Sequence, residues 1–175
     1  MPGPLFCEGD TVELRPVEES DVAFLQRLVN PPRVRAGIGN SDPISRAEEA
    51  AWIESTAEDD DIHLLICVDG DPVGSLGLFI ERPTWGTAEV GYSLVPDHWN
   101  NGYATDALRR LCAYGFDERR LHKIVGRAYE TNPASSRVLE KVGFEQEGVL
   151  RREAFVQGEH VDLHRYGLLA EEFEQ

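Results

Sequence analysis

The segment 98–107, HWNNGYATDA, decides the fold of this chain. It joins a strand-like stretch, AEVGYSLV at 88–95, to a helix-forming run, and so predicts a strand, a tight loop and a helix. The first N–H groups of a helix have no partner within the helix and lie at the positive end of its dipole, so they attract a phosphate. Gly102 allows the backbone to approach that phosphate, because it has no Cβ. The pattern predicts an anion cradle.

A plain turn before an ordinary helix is the alternative, since single-glycine loops before helices are common. Three features favour the cradle. Neither Asn100 nor Asn101 is an acidic cap that would occupy the free N–H groups, the first helical turn holds the neutral Tyr103 and Ala104, and the strand and helix are both in place.

The length of 175 residues predicts one domain, residues 1–175. No apolar run approaches the ~20 residues of a membrane span, and the N-terminal segment lacks the pattern of a secretion signal, so we expect a cytoplasmic protein. Cys7, Cys67 and Cys112 form no C-x-x-C pair, which argues against a disulfide framework or a zinc site.

The net charge is −15, from 17 basic and 32 acidic residues. Such a surface argues against nonspecific nucleic-acid binding, which needs basic patches. The sequence leaves two explanations open: an ordinary acidic protein, or a protein of a halophile whose acidic surface is adapted to a salt-rich cytoplasm. Stability in low salt and in molar KCl distinguishes the two.

The rest of the chain alternates short strands and helices without repeats. Period-two alternation marks the strands, while capping residues and prolines mark the helix ends. Ser20 is the predicted cap of the first helix, and Ser45 with Glu48 forms a capping box for the second. The predicted order is strand 11–17, a helix from Ser20 to Pro31, a loop at 33–43, a helix from Ser45, strands 63–68, 73–80 and 88–95, a helix from Gly102 to about Arg119, strand 123–129, helix 133–142, and strands 148–156 and 161–169.

Helix 133–142 has well-marked ends, with Asn132 at the N-cap, Pro133 at the first position and Gly143 after the last turn. Segments 99–108, WNNGYATDAL, and 132–144, NPASSRVLEKVGF, resemble two motifs of the GCN5-related N-acetyltransferase (GNAT) superfamily, in the branch that acetylates ribosomal protein N-termini (RimJ/RimL-like). The resemblance extends from about 11 to 169. Asn100 replaces a glycine of that branch, and asparagine tolerates a positive φ well.

The resemblance implies an α/β (α+β) fold: one mixed, mostly antiparallel, twisted sheet of about seven strands, splayed between the fourth and fifth strands and flanked by about four helices. It implies direct transfer of an acetyl group from acetyl-CoA to a primary amine, without a metal. The expected acceptor is a protein N-terminal α-amine, such as that of a ribosomal protein. A polyamine or an amine antibiotic is the alternative acceptor. A non-catalytic acetyl-CoA-binding module is the alternative to an enzyme. We expect a monomer or homodimer with no nucleic-acid or membrane partner.

The resemblance also implies cofactor ligands. Val95 occupies the family position whose backbone pairs with the pantetheine arm and whose N–H polarises the thioester carbonyl. Asn132 resembles an asparagine that contacts the cofactor, and it also fits a helix cap. The implied pyrophosphate ligands are the backbone N–H groups of Asn101, Gly102, Tyr103, Ala104 and Thr105.

Glu89 and Glu153 are the two candidate bases. The two-residue period of a strand places Glu89 on the same face as Val95. Partial burial on that face raises the pKa of a carboxyl group, which suits a general base. A strand residue held in a salt bridge is the alternative interpretation of Glu89. Glu153 lies close to the branch's glutamate but is displaced by about one residue, which changes the strand face.

Many members of the resembled superfamily have a tyrosine as the general acid, and Leu139 occupies that position here. The resemblance therefore points to Ser135 as a proton relay. An ordinary serine in the first turn of a helix is the alternative. Arg152, Asp162 and Tyr166 recur in the branch and are candidates for the acceptor pocket, although Tyr166 fits the core equally well.

A metal site at His160, Asp162 and His164 is disfavoured, because convergent ligands with supporting hydrogen bonds are not evident there.

Overall fold

An eight-stranded, mostly antiparallel sheet forms the centre of the molecule in a computed structural model that describes residues 2–174. The strand order is β1-β2-β3-β4-β5-β6-β8-β7. The strands are β1 (Cys7–Glu8), β2 (Glu13–Pro16), β3 (Ile62–Val68), β4 (Asp71–Arg82), β5 (Thr87–Leu94), β6 (Lys123–Tyr129), β7 (Glu145–Val156) and β8 (Glu159–Leu169). The helices are α1 (Val22–Val29), α2 (Pro32–Ile38), α3 (Arg46–Ser55), α4 (Tyr103–Asp117) and α5 (Pro133–Val142).

The sheet splays where the parallel pair β5 and β6 separates. These strands pair from Thr87 with Lys123 to Val90 with Gly126. Beyond that point β5 continues along β4 and β6 continues along β8, so a gap opens between their carboxyl ends. This confirms the predicted GNAT-like architecture. The short strand β1 precedes the first predicted strand, so the splay expected between the fourth and fifth strands lies between β5 and β6 here.

The two faces of the sheet carry different helices. On the α4 face, Val90 and Leu94 of β5 pack into the main core with α4 and α5. On the α1 face, Leu65 of β3 packs against α1 and α3. Glu89, Gly91 and Ser93 of β5 lie on the α1 face, because they alternate with the core residues.

Several helix ends follow their sequence signals. Ser45 and Glu48 form the predicted capping box at the start of α3. Helix α5 has Asn132 as its N-cap, and Gly143 follows it with a φ of 111°. Within residues 2–174, no helix has the length and apolar character to cross a membrane.

Two predictions in the first third of the chain are wrong. Helix α1 starts at Val22 rather than after Ser20, because a short 3₁₀ turn intervenes and the Asp21 carboxylate accepts the Glu18 N–H at 2.9 Å. The stretch 33–43, predicted as a loop, contains most of α2. Pro32 occupies the first position of that helix, where its missing N–H costs nothing.

Candidate active site

The loop before α4 has the conformation that an anion cradle needs. Gly102 is the N-cap of α4 with a φ of 82°, and a Cβ built there would meet no atom within 4 Å. Asn100 also has a positive φ, 63°, as expected for its place in the loop. No side chain among the described residues caps α4. The first N–H groups of the helix are therefore not occupied by a side-chain cap, and the space beside Gly102 is open.

Trp99 anchors this loop to the end of β5. Its indole Nε1 donates a hydrogen bond to the Leu94 carbonyl at 2.9 Å. The guanidinium of Arg33, on the unpredicted helix α2, lies 4.8 Å from the centre of the Trp99 ring. Helix α2 therefore brings a positive charge to the loop that the sequence assigns to the cofactor.

Asp106, in the first turn of α4, joins that helix to the N-terminal strands. Its carboxylate accepts N–H groups of Asp10, Thr11 and Val12 at 3.0, 2.6 and 3.1 Å, and the Thr11 hydroxyl at 2.8 Å. Burial acts to raise the pKa of Asp106, but these hydrogen bonds outweigh it and hold the pKa below its usual value. The sequence shows no sign of this contact, because the partners are 94 to 96 residues away.

Both backbone polar groups of Val95 are already hydrogen-bonded within the chain. Its N–H donates to the Val73 carbonyl at 2.9 Å, and its carbonyl accepts the His98 N–H at 2.9 Å. This pairing conflicts with the role predicted for the Val95 N–H, because the β4–β5 ladder extends one residue past Leu94. Backbone groups alternate along a strand, so the N–H groups of Tyr92 and Leu94 point away from β4, toward the gap beside β6.

Glu89 lies on the α1 face, within the last residues of β5 that still pair with β6. Its side chain is 22% exposed, and its Oε2 lies 3.2 Å from Arg127 Nη1. The other end of the same guanidinium contacts Glu81 at 3.3 Å. Burial raises the pKa of Glu89, Arg127 opposes this rise, and Glu81 adds to it. The result is a carboxylate with a raised pKa at the edge of the gap.

Glu153 does not lie near Glu89. It is exposed within an irregular stretch, 151–153, that separates the register pairs Leu150–Leu163 and Ala154–Val161. Strand β7 is three strands away from β5, or about 14 Å at the usual spacing. Of the two candidate bases, the structure brings only Glu89 to the gap.

Ser135 lies in the first turn of α5 and contacts Tyr92, a residue that the sequence reasoning missed. The Tyr92 hydroxyl is 2.9 Å from Ser135 Oγ and donates to the Ser135 carbonyl at 3.1 Å. Burial raises the pKa of Tyr92 to about 12, although the hydrogen bond with Ser135 lowers it. The alternation of β5 was the available signal, since it places Tyr92 on the face that carries the motif helices.

Asn132 and Leu139 have clear packing roles. The Asn132 Oδ1 accepts the Ser135 N–H at 3.3 Å, which confirms the cap and leaves the Nδ2 group as a donor. Leu139 is 1% exposed and fills the space beside Gly126, where a Cβ would collide with it. The usual tyrosine position of the resembled family is therefore part of the core here.

Two of the three C-terminal candidates for the acceptor pocket have contacts within the chain that account for their positions. Tyr166 is 2% exposed and lies in the core of the α4 face. The Asp162 carboxylate accepts the Arg152 N–H at 2.8 Å and so stabilises the irregular part of β7. Tyr166 is therefore a core residue and Asp162 supports the β7–β8 hairpin, while the role suggested for the Arg152 side chain stays a prediction.

Aromatic side chains border Glu89 on the α1 face. Phe79 is its register partner on β4, and the His63 ring lies edge-on between Phe79 and Trp52, with centroids at 5.6 and 5.1 Å. Phe79 and Trp52 are partly exposed. The three rings form an aromatic row that starts at Phe79, the residue paired with Glu89.

In the part of the chain that the structure describes, the residues His160, Asp162 and His164 do not form a group of metal ligands. Elsewhere in the described residues, the potential ligand atoms of Asp59, Asp61 and His63 lie within 4.8 Å of one another.

Comparisons with known proteins place this geometry in a family. A family model described as "Acetyltransferase (GNAT) domain" matches residues 11–145. "Uncharacterized N-acetyltransferase YoaA" of Bacillus subtilis is 34% identical over 97 residues, only 55% of either chain. "Putative ribosomal N-acetyltransferase YdaF" of B. subtilis is 32% identical over 174 residues, 95% of each chain.

Two solved structures show the same fold with CoA compounds bound. Mycobacterium smegmatis RimJ in complex with CoA-disulfide superposes with a TM-score of 0.85 at 25% identity, covering 99% of this chain and 89% of that one. Spermidine N-acetyltransferase from Vibrio cholerae, in complex with CoA and spermine, gives 0.86 at 24% identity, covering 93% and 97%.

Proposed function

Because the chain belongs to the GNAT acetyltransferase family, we propose that it transfers the acetyl group of acetyl-CoA to the α-amine of a polypeptide. Membership in this family supports the predicted enzyme class, an acetyl-CoA-dependent N-acetyltransferase. The polypeptide acceptor is supported by YdaF, which is 32% identical over 95% of each chain. The spermidine enzyme, at 24% identity, supports the fold alone.

The position of Glu89 carries the proposal. Its carboxylate stands where β5 and β6 begin to separate, on a part of the α1 face that is open to solvent. An acceptor amine that reaches this point comes next to both a base and the gap. An open approach suits the end of a polypeptide.

The residues of the cradle fit the cofactor that the family uses. The N–H groups of Asn101–Thr105 are suited to hold the pyrophosphate, and Arg33 adds a positive charge nearby. Bound acetyl-CoA supplies a thioester carbonyl that an amine can attack. The Leu94 N–H, directed toward the gap, is the candidate donor to that carbonyl in place of Val95.

Glu89 acts as the base in this proposal. An ammonium group must lose a proton before its nitrogen can attack a carbonyl. A carboxylate whose pKa is raised accepts that proton more readily than an ordinary glutamate. Arg127 holds the carboxylate in place through the 3.2 Å contact.

Ser135 acts as the proton relay to the leaving thiolate, with Tyr92 as its hydrogen-bond partner. A thiolate with a pKa near ~8.5 needs only a weak acid. We expect Ser135→Ala to lower kcat roughly tenfold at pH 7, with KM for acetyl-CoA unchanged, and to lower it less above pH ~8.5. Rates of CoA release across this pH range give the measurement.

The neighbouring Ser136→Ala is the matched control, because it removes a hydroxyl from the same helical turn. If the two variants have the same pH profile, Ser135 has no part in proton transfer.

The acceptor class is tested by measuring CoA release with a panel of amines. We expect turnover with short peptides that have a free N-terminus, little with the same peptides already acetylated there, and less with spermidine. Faster turnover with spermidine than with any peptide would overturn the acceptor assignment. Tight acetyl-CoA binding without turnover on any amine would instead favour a non-catalytic module.

A further inference from the structure

A cleft of about 580 Å³ adjoins Glu89 on the α1 face. Two of its lining residues, Glu81 and Arg127, form the ion-pair network that includes Glu89, so the cleft continues directly from the proposed base. The lining residues are Glu81, Arg82, Trp85, Thr87, Lys123, Val125, Arg127 and Arg165.

The charge of this lining differs from that of the whole chain. The chain has 17 basic and 32 acidic residues, whereas the cleft has four basic residues and one acidic residue. A cation would meet repulsion here, and an anion would be attracted.

The end of the cleft that is lined by Arg82, Lys123 and Arg165 is its outer part, and it keeps an excess of positive charge after its ion pairs are counted. Lys123 and Arg165 share a single partner, the Glu147 carboxylate. Gly167 makes room for this cluster, since a Cβ there would collide with Glu147 and crowd Lys123. The Arg82 guanidinium stacks on the exposed Trp85 ring at 4.7 Å. Three cations and one anion therefore lie at this end.

The inner part, lined by Glu81 and Arg127 next to Glu89, has an excess of negative charge. There Arg127 is shared by two carboxylates, those of Glu81 and Glu89. The cleft is thus negative where the acceptor's ammonium group arrives and positive farther along.

The spacing between the two ends matches a short piece of extended chain. Lys123 is two residues along β6 from Val125, the register partner of Glu89, or about 7 Å. A carboxylate on the second or third residue of an extended peptide lies at a similar distance from its α-amine.

We infer that this cleft is a carboxylate-binding subsite, which selects polypeptide acceptors with an acidic residue at position two or three. The inference rests on the proposed function, because it takes the α-amine at Glu89 as its starting point. A polyamine offers only cations to this lining, so the subsite also discriminates against that acceptor.

Peptide series that differ at one position test the subsite on the unmodified protein. We expect kcat/KM to be roughly fivefold higher with Asp at position two or three than with the isosteric Asn, and lowest with Lys. The preference should weaken as NaCl is raised, because exposed charges are screened. Equal kcat/KM for Asp and Asn peptides would overturn the subsite and leave the proposed function standing. No acetylation of any peptide would overturn the proposed function itself.

Variants locate the preference in the cleft. Arg165→Glu should remove or reverse the preference for Asp, and Arg165→Gln should weaken it while changing the local structure less. Arg46→Glu, which makes the same charge change on an exposed position of α3, should retain the full preference. A preference that survives in both Arg165 variants would contradict the assignment to this cleft.

Discussion

Replacing Gly102 with valine is expected to abolish acetyl-CoA binding. The φ of 82° at this position is strained for any side chain and most of all for a β-branched one. The added atoms would also enter the open space beside the first N–H groups of α4. Loss of two hydrogen bonds to a charged phosphate, at about 1.5–3 kcal/mol each, weakens binding at least about 100-fold. Isothermal titration calorimetry measures this change directly.

Gly70→Val is a closely matched control. Gly70 has the same φ of 82°, and its Cβ position also meets no atom within 4 Å, but it lies in the turn between β3 and β4. Both variants should lose stability from backbone strain, whereas only Gly102→Val should lose acetyl-CoA binding. An unchanged affinity of Gly102→Val for acetyl-CoA would contradict the proposal that this loop binds the pyrophosphate.

Glu89→Gln is expected to lower kcat by about 10²- to 10⁴-fold, the usual contribution of a general base. Glutamine keeps the size of the side chain and an oxygen that can accept a hydrogen bond from Arg127, so acetyl-CoA binding should persist. Glu153→Gln, the same change at the rival carboxylate, should leave kcat unaltered. If Glu153→Gln is the inactive variant, the assignment of the base is wrong.

The thermal stability of Glu89→Gln shows whether a fall in kcat comes from the missing base or from a destabilised fold. Because folding raises the pKa of Glu89, the group stabilises the fold below its unfolded pKa, and this contribution disappears as pH rises through the folded value. At pH 7 the ionised group opposes folding, so the variant should be at least as stable as the parent. Thermal unfolding at pH 4 and pH 7 checks the sign. A marked loss of stability at pH 7 would contradict it.

Local signals in the sequence predicted some parts of the site closely. Asn132, Pro133 and Gly143 mark the ends of α5 because each fits one position at a helix end. The positive φ at Asn100 and Gly102 likewise follows from the residue types of the loop.

Other parts of the site depend on partners that are distant in sequence. Tyr92 meets Ser135 across 43 residues, and Asp106 meets Thr11 across 95. A pattern of residue types does not pair such groups until the sheet order is known. Helix α2 was missed for a different reason: its prolines signal the end of one helix and also the start of the next.

Strand register explains why Val95 and Glu153 are placed differently from what their predicted roles require. The Val95 N–H faces β4 because the β4–β5 ladder extends one residue past the strand end. Glu153 lies in an irregular stretch of an edge strand, where period two no longer tells which face a side chain takes. In both cases one residue of displacement changes the direction in which a group points.

Mass spectrometry of a peptide that carries both a free α-amine and a lysine tests the central proposal most directly. After incubation with acetyl-CoA, we expect a single acetyl group on the α-amine with the parent protein and almost none with Glu89→Gln. Acetylation of the lysine side chain alone, or equal α-amine acetylation by Glu89→Gln, would contradict α-amine transfer at Glu89.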